Sequence, residues 1–230
     1  MDPEICYLCG QSIEGTASRD HVPPRQFFTR MFRKTKSPNL LTLPTHAECN
    51  KSYQDDEDYF FASLAPITEQ AYIHDWLMEE AGNKLSRQHS QGLREKVMSE
   101  FNSTVAGLYL PRHLIAKIPD WNRVGRVVWK VVRGLCYHHY LKFLPEETTH
   151  RIRYCQTSDP PPPIYTKYLL EAPLLASHPE VFAHRFAGVS NPGSLSGLWA
   201  LIFWQSLVAI VVVLVGHGES RSGACASSAQ

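Results

Sequence analysis

The sequence has almost no net charge. It contains 23 Lys and Arg against 22 Asp and Glu, which gives a formal charge of +1 at pH 7 with neutral histidines. A whole-protein positive field, which would draw in a polyanion from a distance, is therefore absent. Any attraction to nucleic acid has to come from a local cluster of cations.

The sequence also lacks a disulfide framework and a secretion signal. Only six of the 230 residues are cysteine, and Cys136, Cys155 and Cys225 stand isolated. Isolated thiols are typical of a reducing compartment. The first nine residues, MDPEICYLC, are acidic and short of apolar side chains, so we expect no signal peptide. These features predict a cytoplasmic protein.

The other three cysteines belong to two close pairs of metal-binding residue types. Cys6 and Cys9 form the first pair and His46 and Cys49 the second, with 36 residues (10–45) between the pairs. A gap of two residues lets both side chains of a turn reach one tetrahedral zinc ion. Zinc would also hold shut a segment too polar to close by itself. We therefore predict a structural zinc with four protein ligands and no open position for substrate.

Further residues between and beside these pairs form a recognisable pattern. The run Asp20-His21-Val22-Pro23 is followed by Asn39 and then by Cys49-Asn50-Lys51. This order resembles the HNH, or ββα-metal, endonuclease family of the zinc-knuckle type, over about a quarter of the chain. His46 stands where many members have Cys, and imidazole is also a good zinc ligand. Asn50 stands where the family name has its last His.

The resemblance implies a fold and a reaction. The fold would be a zinc-clamped β-hairpin with a following helix, and the reaction metal-dependent hydrolysis of phosphodiester bonds in DNA. His21 would be the general base, and its ordinary pKa near 6.5 suits that task around neutral pH. Asn39 would steady the loop and orient His21. Asp20 and Asn50 would bind a catalytic Mg²⁺ or Mn²⁺ ion, distinct from the structural zinc.

A basic segment between His21 and Asn39 is the candidate DNA contact. Five cations fall within twelve residues, interleaved with phenylalanines: Arg25, Arg30, Arg33, Lys34 and Lys36. We interpret them as phosphate-binding residues, with a solvated loop as the alternative. The sequence shows no helix-turn-helix or other base-reading motif, so it predicts no sequence preference.

Helices are predicted for most of the middle of the chain. Apolar periodicity indicates helices at 55–64, 68–80, 83–101 and 121–143, with a break at Gly82. The acidic run 55–58 is interpreted as a solvated first turn. The last helix has a valine-rich face and an opposite basic side, formed by Arg123, Arg126, Lys130 and Arg133. We interpret that side as structural, with phosphate contact as the alternative.

The C-terminal part reads as strands. Four prolines at 160–163 predict a rigid connector, and the segments 164–170 and 181–189 are predicted strands. Residues 198–215 contain no charge. We favour a β-hairpin that closes the core, although a membrane span, and hence a membrane-associated effector, is the alternative. Residues 216–230 are small and polar, which predicts a disordered tail.

Together these features predict an α+β protein. We divide it into a zinc-stapled module (1–66), an accessory region that is helical and then β-rich (67–215), and the tail. An HNH endonuclease is the favoured function, and a non-catalytic zinc-stabilised module that binds nucleic acid or protein is the second hypothesis. The combination of Asp20, His21, Asn39 and Asn50 favours the enzyme, because a pure binding module has no need of that set.

Overall fold

A computed structural model describes residues 4–68, 71–159, 161–191 and 194–214. The architecture mixes helices with an antiparallel sheet, as the α+β prediction requires. Pro160, Val215, the predicted tail 216–230 and the thiol of Cys225 lie outside the described residues.

The N-terminal part is a β-hairpin followed by a short helix. Strand β1 (Ser18–His21) pairs antiparallel with β2 (Thr42–Thr45), and helix α2 (Ala47–Lys51) follows directly. The connection between the strands contains a 3-10 turn (Arg25–Phe27) and helix α1 (Arg30–Lys36). Thr29 caps α1, since its hydroxyl accepts from the amide of Phe32 at 3.2 Å. The basic segment is therefore largely helical and not a loop.

The middle of the chain is helical. Its main elements are α3 (Gln54–Leu64), α4 (Ala71–Leu85), α5 (Gln91–Met98) and α6 (Trp121–Tyr140). The predicted break at Gly82 is wrong, because α4 continues through it and a turn (Gln88–Ser90) separates α4 from α5. Gly82 is exposed, and a glycine inside a helix costs only about 1 kcal/mol, which the packing of α4 can offset. Two small ribbons precede α6, namely β3 (Phe101–Asn102) with β6 (Ala116–Lys117) and β4 (Thr104–Val105) with β5 (Leu108–Tyr109).

A five-stranded antiparallel sheet forms the C-terminal part. Its strands are β7 (His150–Gln156), β8 (Leu175–His178), β9 (Phe182–Asn191), β10 (Ser194–Phe203) and β11 (Leu207–Val213), in the order β7-β11-β10-β9-β8. The hairpin predicted within 198–215 is confirmed for the described residues, with Phe203 paired to Leu207 and Gly197 to Val213. Within the described parts of the chain, no helix combines the length and the apolar character that crossing a membrane requires.

The strand predicted at 164–170 is wrong. This segment is helix α7 (Pro163–Glu171), with its proline in the first turn, where a missing amide hydrogen does no harm. Tyr165 and Leu169 lie four residues apart and therefore on one helical face. They pack against Ala200 and Ile210 of the sheet. Burial of that face, which local β propensity does not report, stabilises the helix.

The main core connects the N-terminal hairpin, the helical middle and the sheet, while α7 packs in a smaller second cluster. Its buried cluster includes residues of α3, α6 and the sheet together with residues of the N-terminal hairpin. Trp204, which follows β10, packs its ring 5.5 Å from that of Phe27, and its indole nitrogen donates to the Phe27 carbonyl at 3.1 Å. The division into a module of 1–66 and an accessory region stays a prediction, but the two share this core.

The basic side of α6 contacts protein groups along its length, and its C-terminal half is buried. It carries Arg123, Arg126, Lys130 and Arg133, which we call the cation stripe. Arg123 and Arg126 each contact a different carboxylate oxygen of Asp56 at 2.6 Å. Arg133 is buried and donates to the carbonyls of Leu8 and Leu144. These contacts support the structural interpretation of the basic side.

Candidate functional site

The four predicted zinc ligands converge on one point. The Sγ atoms of Cys6, Cys9 and Cys49 and a ring nitrogen of His46 all lie within 4.8 Å of one another. The Nδ1 atom of His46 is 3.3 Å from the sulfur of Cys9 and 3.9 Å from that of Cys49. Tetrahedral zinc–sulfur bonds near 2.3 Å would give edges of about 3.8 Å. The cluster can hold a metal ion and is compatible with a zinc knuckle.

Local backbone geometry places these ligands. The chain turns back after Cys6, where the amide of Gly10 donates to the Cys6 carbonyl at 2.8 Å. Gly10 has φ +73°, and a Cβ there would lie 2.9 Å from the ring of Phe143, so the turn needs glycine. His46 occupies the N-cap position of α2, and Cys49 lies within that helix. The hairpin thus brings α2 to the turn.

The hydrogen bonds around the cluster suit metal-bound thiolates. Burial raises the pKa of the Cys6 thiol, but the Thr45 hydroxyl and the backbone amides of His46, Cys9 and Leu8 outweigh it and lower the pKa to about 6. The Nε2 atom of His46 lies 3.3 Å from the Ser12 carbonyl, which leaves Nδ1 free to bind a metal.

The raised pKa of the Cys49 thiol indicates that the cluster also requires a compensating positive charge. Burial and the neighbouring charge of Cys6 raise the pKa of this thiol to about 12. A thiolate at Cys49 therefore needs a compensating cation, and a coordinated zinc ion would supply that charge. The donor set fits zinc in both geometry and chemistry.

An open pocket of about 660 Å³ lies beside the cluster. We call it the His21 pocket. It brings together Asp20, His21, Asn50, Arg25 and Arg33 of the predicted site. Its walls also contain charged and amide side chains that sequence reasoning did not assign to a site, namely Gln26, Lys51, Gln54, Glu57, Asp58, Glu80, Lys84 and Arg87.

His21 lies at the end of β1, half-buried in the pocket wall. Burial lowers the pKa of its imidazole below the usual 6.5, and the positive charge of Arg25 lowers it further, while Asp20 partly opposes both effects. The ring is therefore neutral near neutral pH. A neutral imidazole is the form that can accept a proton.

Asp20 is held from several sides. Its carboxylate is buried, and the hydroxyl of Tyr7 donates to Oδ2 at 2.5 Å. The ammonium nitrogen of Lys130 lies 3.0 Å from Oδ1 and 2.8 Å from Oδ2, and it also contacts Glu57. Asn50 lines the pocket. Asp20 already contacts Tyr7 and Lys130, so it does not fit the role of an open ligand for a divalent ion. That role stays a prediction from the resemblance.

The remaining predicted residues lie elsewhere. Asn39 is exposed and lines a second pocket, beside Val22 and Pro23, and not the His21 pocket. Arg30 and Lys34 line a third, between α1 and α4. Lys36 is exposed at the end of α1. The predicted DNA-contacting cations are thus divided between the His21 pocket, the pocket between α1 and α4, and the exposed end of α1.

The residues that sequence reasoning missed come from distant parts of the chain. Glu57 and Asp58 belong to the acidic run after Asn50, which was interpreted as a solvated turn. Lys84 Nζ lies 2.5 Å from an Asp58 oxygen and 2.5 Å from the side-chain amide oxygen of Gln26. The acidic run next to the motif could have indicated Glu57 and Asp58 as site residues. Nothing in the local sequence points to Lys84 or Lys130.

Comparison of the chain with models of protein families, with curated proteins and with solved structures finds no match in any of the three. The likeness to HNH endonucleases therefore rests on the motif residues themselves, and the Cys6–Cys9–His46–Cys49 cluster is the part of it that the structure supports.

Proposed function

We propose that this protein is an HNH-type, metal-dependent endonuclease that hydrolyses phosphodiester bonds in DNA. One observation carries the proposal. His21 and Asn50, which are far apart in the motif, line the same open pocket, next to a cluster that can bind zinc. The sequence motif contains only the order of these two residues. Because both line one pocket, they share a surface on which a substrate can lie.

The pocket supplies two requirements of phosphodiester hydrolysis. A base must take a proton from the attacking water, and positive charge must offset the charge that develops on the phosphate. His21, neutral because of its lowered pKa, is the base. Arg25 and Arg87 place positive charge in the walls, while Lys84 is paired with Asp58. The zinc of the four-ligand cluster has a structural role only, because it has no open position.

The proposed requirement for a divalent ion rests on the resemblance to HNH endonucleases. Mg²⁺ or Mn²⁺ prefers oxygen ligands, and Asn50, which lines the pocket, offers an amide oxygen. Because Asp20 is paired with Lys130, dependence on a divalent ion has to be measured directly.

The test is cleavage of supercoiled plasmid with Mg²⁺, with Mn²⁺ and with chelator. We expect nicking by the wild type with a divalent ion and a loss of about 10²-fold or more in His21→Ala, because general base catalysis typically contributes that much. His89→Ala is the matched control, since His89 is exposed in the turn before α5. A wild type inert with every metal on both DNA and RNA would contradict the proposal.

A non-catalytic nucleic-acid-binding module is the second candidate. The pairing of Asp20 with Lys130 favours it, because that contact occupies a residue that the nuclease pattern assigns to the ion. This candidate predicts salt-dependent DNA binding without cleavage, and a His21→Ala variant that binds as the wild type does.

A further inference from the structure

Lys130 lies at the centre of a buried group of charges. Its side chain is 1% exposed, against 6% for Asp20 and 13% for Glu57. The ammonium nitrogen contacts both oxygens of Asp20 and one oxygen of Glu57. The ring of Tyr53 lies below it, with 5.3 Å from the nitrogen to the ring centroid. The Lys130 ammonium is therefore buried, while its partners Asp20 and Glu57 also line the His21 pocket.

The arrangement around Lys130 is that of a cation site. Two carboxylates from different elements, β1 and α3, face one positive charge from α6. Carboxylate oxygens that converge in this way are the usual ligands of hard divalent ions. Without the ammonium group, Asp20 and Glu57 would be two buried negative charges with no compensation, which is strongly unfavourable. Tyr7 further restrains Asp20 through Oδ2.

We infer that the Lys130 ammonium is a built-in cation that takes the place of a metal ion between Asp20 and Glu57. Asp20 is then a positioning residue and not an ion ligand. Held by Tyr7 and Lys130, it fixes the end of β1, where His21 is its immediate neighbour. The inference rests on the proposed function for the importance of His21, and an exchangeable divalent ion would bind on the Asn50 side of the pocket.

The test is Mn²⁺ binding to the zinc-loaded protein, measured by electron paramagnetic resonance of the free and bound ion. This readout does not depend on cleavage. Asp20→Asn should bind Mn²⁺ as the wild type does. Lys130→Ala should gain a Mn²⁺ site at least about tenfold tighter than any in the wild type, because it leaves two facing carboxylates and vacates the space of the lysine side chain. The double variant Lys130→Ala/Asp20→Asn should lose that gain.

Two results would overturn the inference. One is a tenfold or greater loss of Mn²⁺ affinity in Asp20→Asn, roughly what removal of an ion's ligand or support costs. The other is a folded Lys130→Ala that gains no site. If Lys130→Ala does not fold, Asp20→Asn alone decides, since it keeps the ion pair between Lys130 and Glu57.

Failure of the proposed function would look different. A wild type that binds no Mn²⁺, with a site that appears in Lys130→Ala, supports the inference and counts against divalent-ion catalysis. Plasmid cleavage by that same wild type in the presence of chelator would show catalysis without the ion, and no cleavage under any condition would favour the binding module.

Discussion

The imidazole of His21 is tuned by its immediate surroundings. Burial and the charge of Arg25 lower its pKa, so the basic form is already dominant below pH 6.5. Since a general base acts when deprotonated, kcat/KM should rise with pH and level off with a midpoint below 6.5. Arg25→Ala removes the nearby positive charge and should move that midpoint to higher pH. Cleavage rates measured across this range at a fixed metal concentration give the midpoints.

Weaker phosphate binding in Arg25→Ala lowers the rate at every pH, so it does not mimic a shift of the midpoint. Arg151→Ala, which changes an exposed arginine on β7, should leave the midpoint where it is. An Arg25→Ala midpoint equal to that of the wild type would show that Arg25 does not set the basicity of His21.

Some cysteines belong to the predicted zinc cluster and others lie outside it. Cys49→Ser should lose the bound zinc and much of the stability of the N-terminal part, because metal binding at such sites contributes directly to folding. Cys155→Ser is the control, since Cys155 is a half-buried free thiol on β7, outside the cluster. Metal analysis should find one zinc per chain in the wild type and the control. Zinc retained at that level in Cys49→Ser would remove Cys49 from the ligand set.

At the scale of elements, α1 presents three exposed cations on one short helix. Arg30, Lys34 and Lys36 are all exposed. If each binds a phosphate, their joint replacement by alanine should weaken DNA binding equally for all sequences. The slope of log K against log salt should fall by about 0.9 for each phosphate that is no longer neutralised. Titrations at several salt concentrations measure this slope.

A matched control changes the net charge by the same amount elsewhere. It replaces Arg112, Arg151 and Lys167, which are exposed on other parts of the chain. An equal decrease of affinity in this control would mean that only overall charge matters, and that α1 is not the phosphate-binding surface.

Helix α6 joins the N-terminal hairpin to the rest of the protein through its cation stripe. Arg133→Met should destabilise the fold by about 3 kcal/mol, because the buried carbonyls of Leu8 and Leu144 lose their donor. Arg151→Met, at an exposed position of β7, should stay within about 0.5 kcal/mol of the wild type. Denaturant unfolding gives both values, and similar values would contradict a clamping role for Arg133.

A feature could be predicted from the sequence when its physical cause lies within a few neighbouring residues. The ligands Cys6, Cys9, His46 and Cys49 were found because spacing within each turn restricts where their side chains can point. Helix α7 was missed because packing on the sheet decides it and not the propensity of residues 164–170. The basic side of α6, which includes Lys130, was interpreted as structural, but the ion pair of Lys130 with Asp20 was not predicted. The two residues lie 110 positions apart in the sequence, and a periodic pattern carries no information on a contact at that separation.

At the scale of the whole molecule, the shared core makes the N-terminal part dependent on the remainder. Buried side chains of residues 1–66 pack with those of α6 and the sheet, and Asp20, Leu8 and Phe27 all have partners beyond residue 66. A fragment of residues 1–66 supplied with zinc should bind the metal but leave its apolar face exposed. We therefore expect it to lack a cooperative thermal transition.

The intact chain should behave in the opposite way. Because one core includes both parts, circular dichroism and tryptophan fluorescence should report a single coincident unfolding transition. Chelation of zinc should lower its midpoint in both signals together, since the loss of the knuckle also removes the groups that pair with Arg133 and Trp204. Two separate transitions, with only the first sensitive to chelator, would instead establish residues 1–66 as an independent domain.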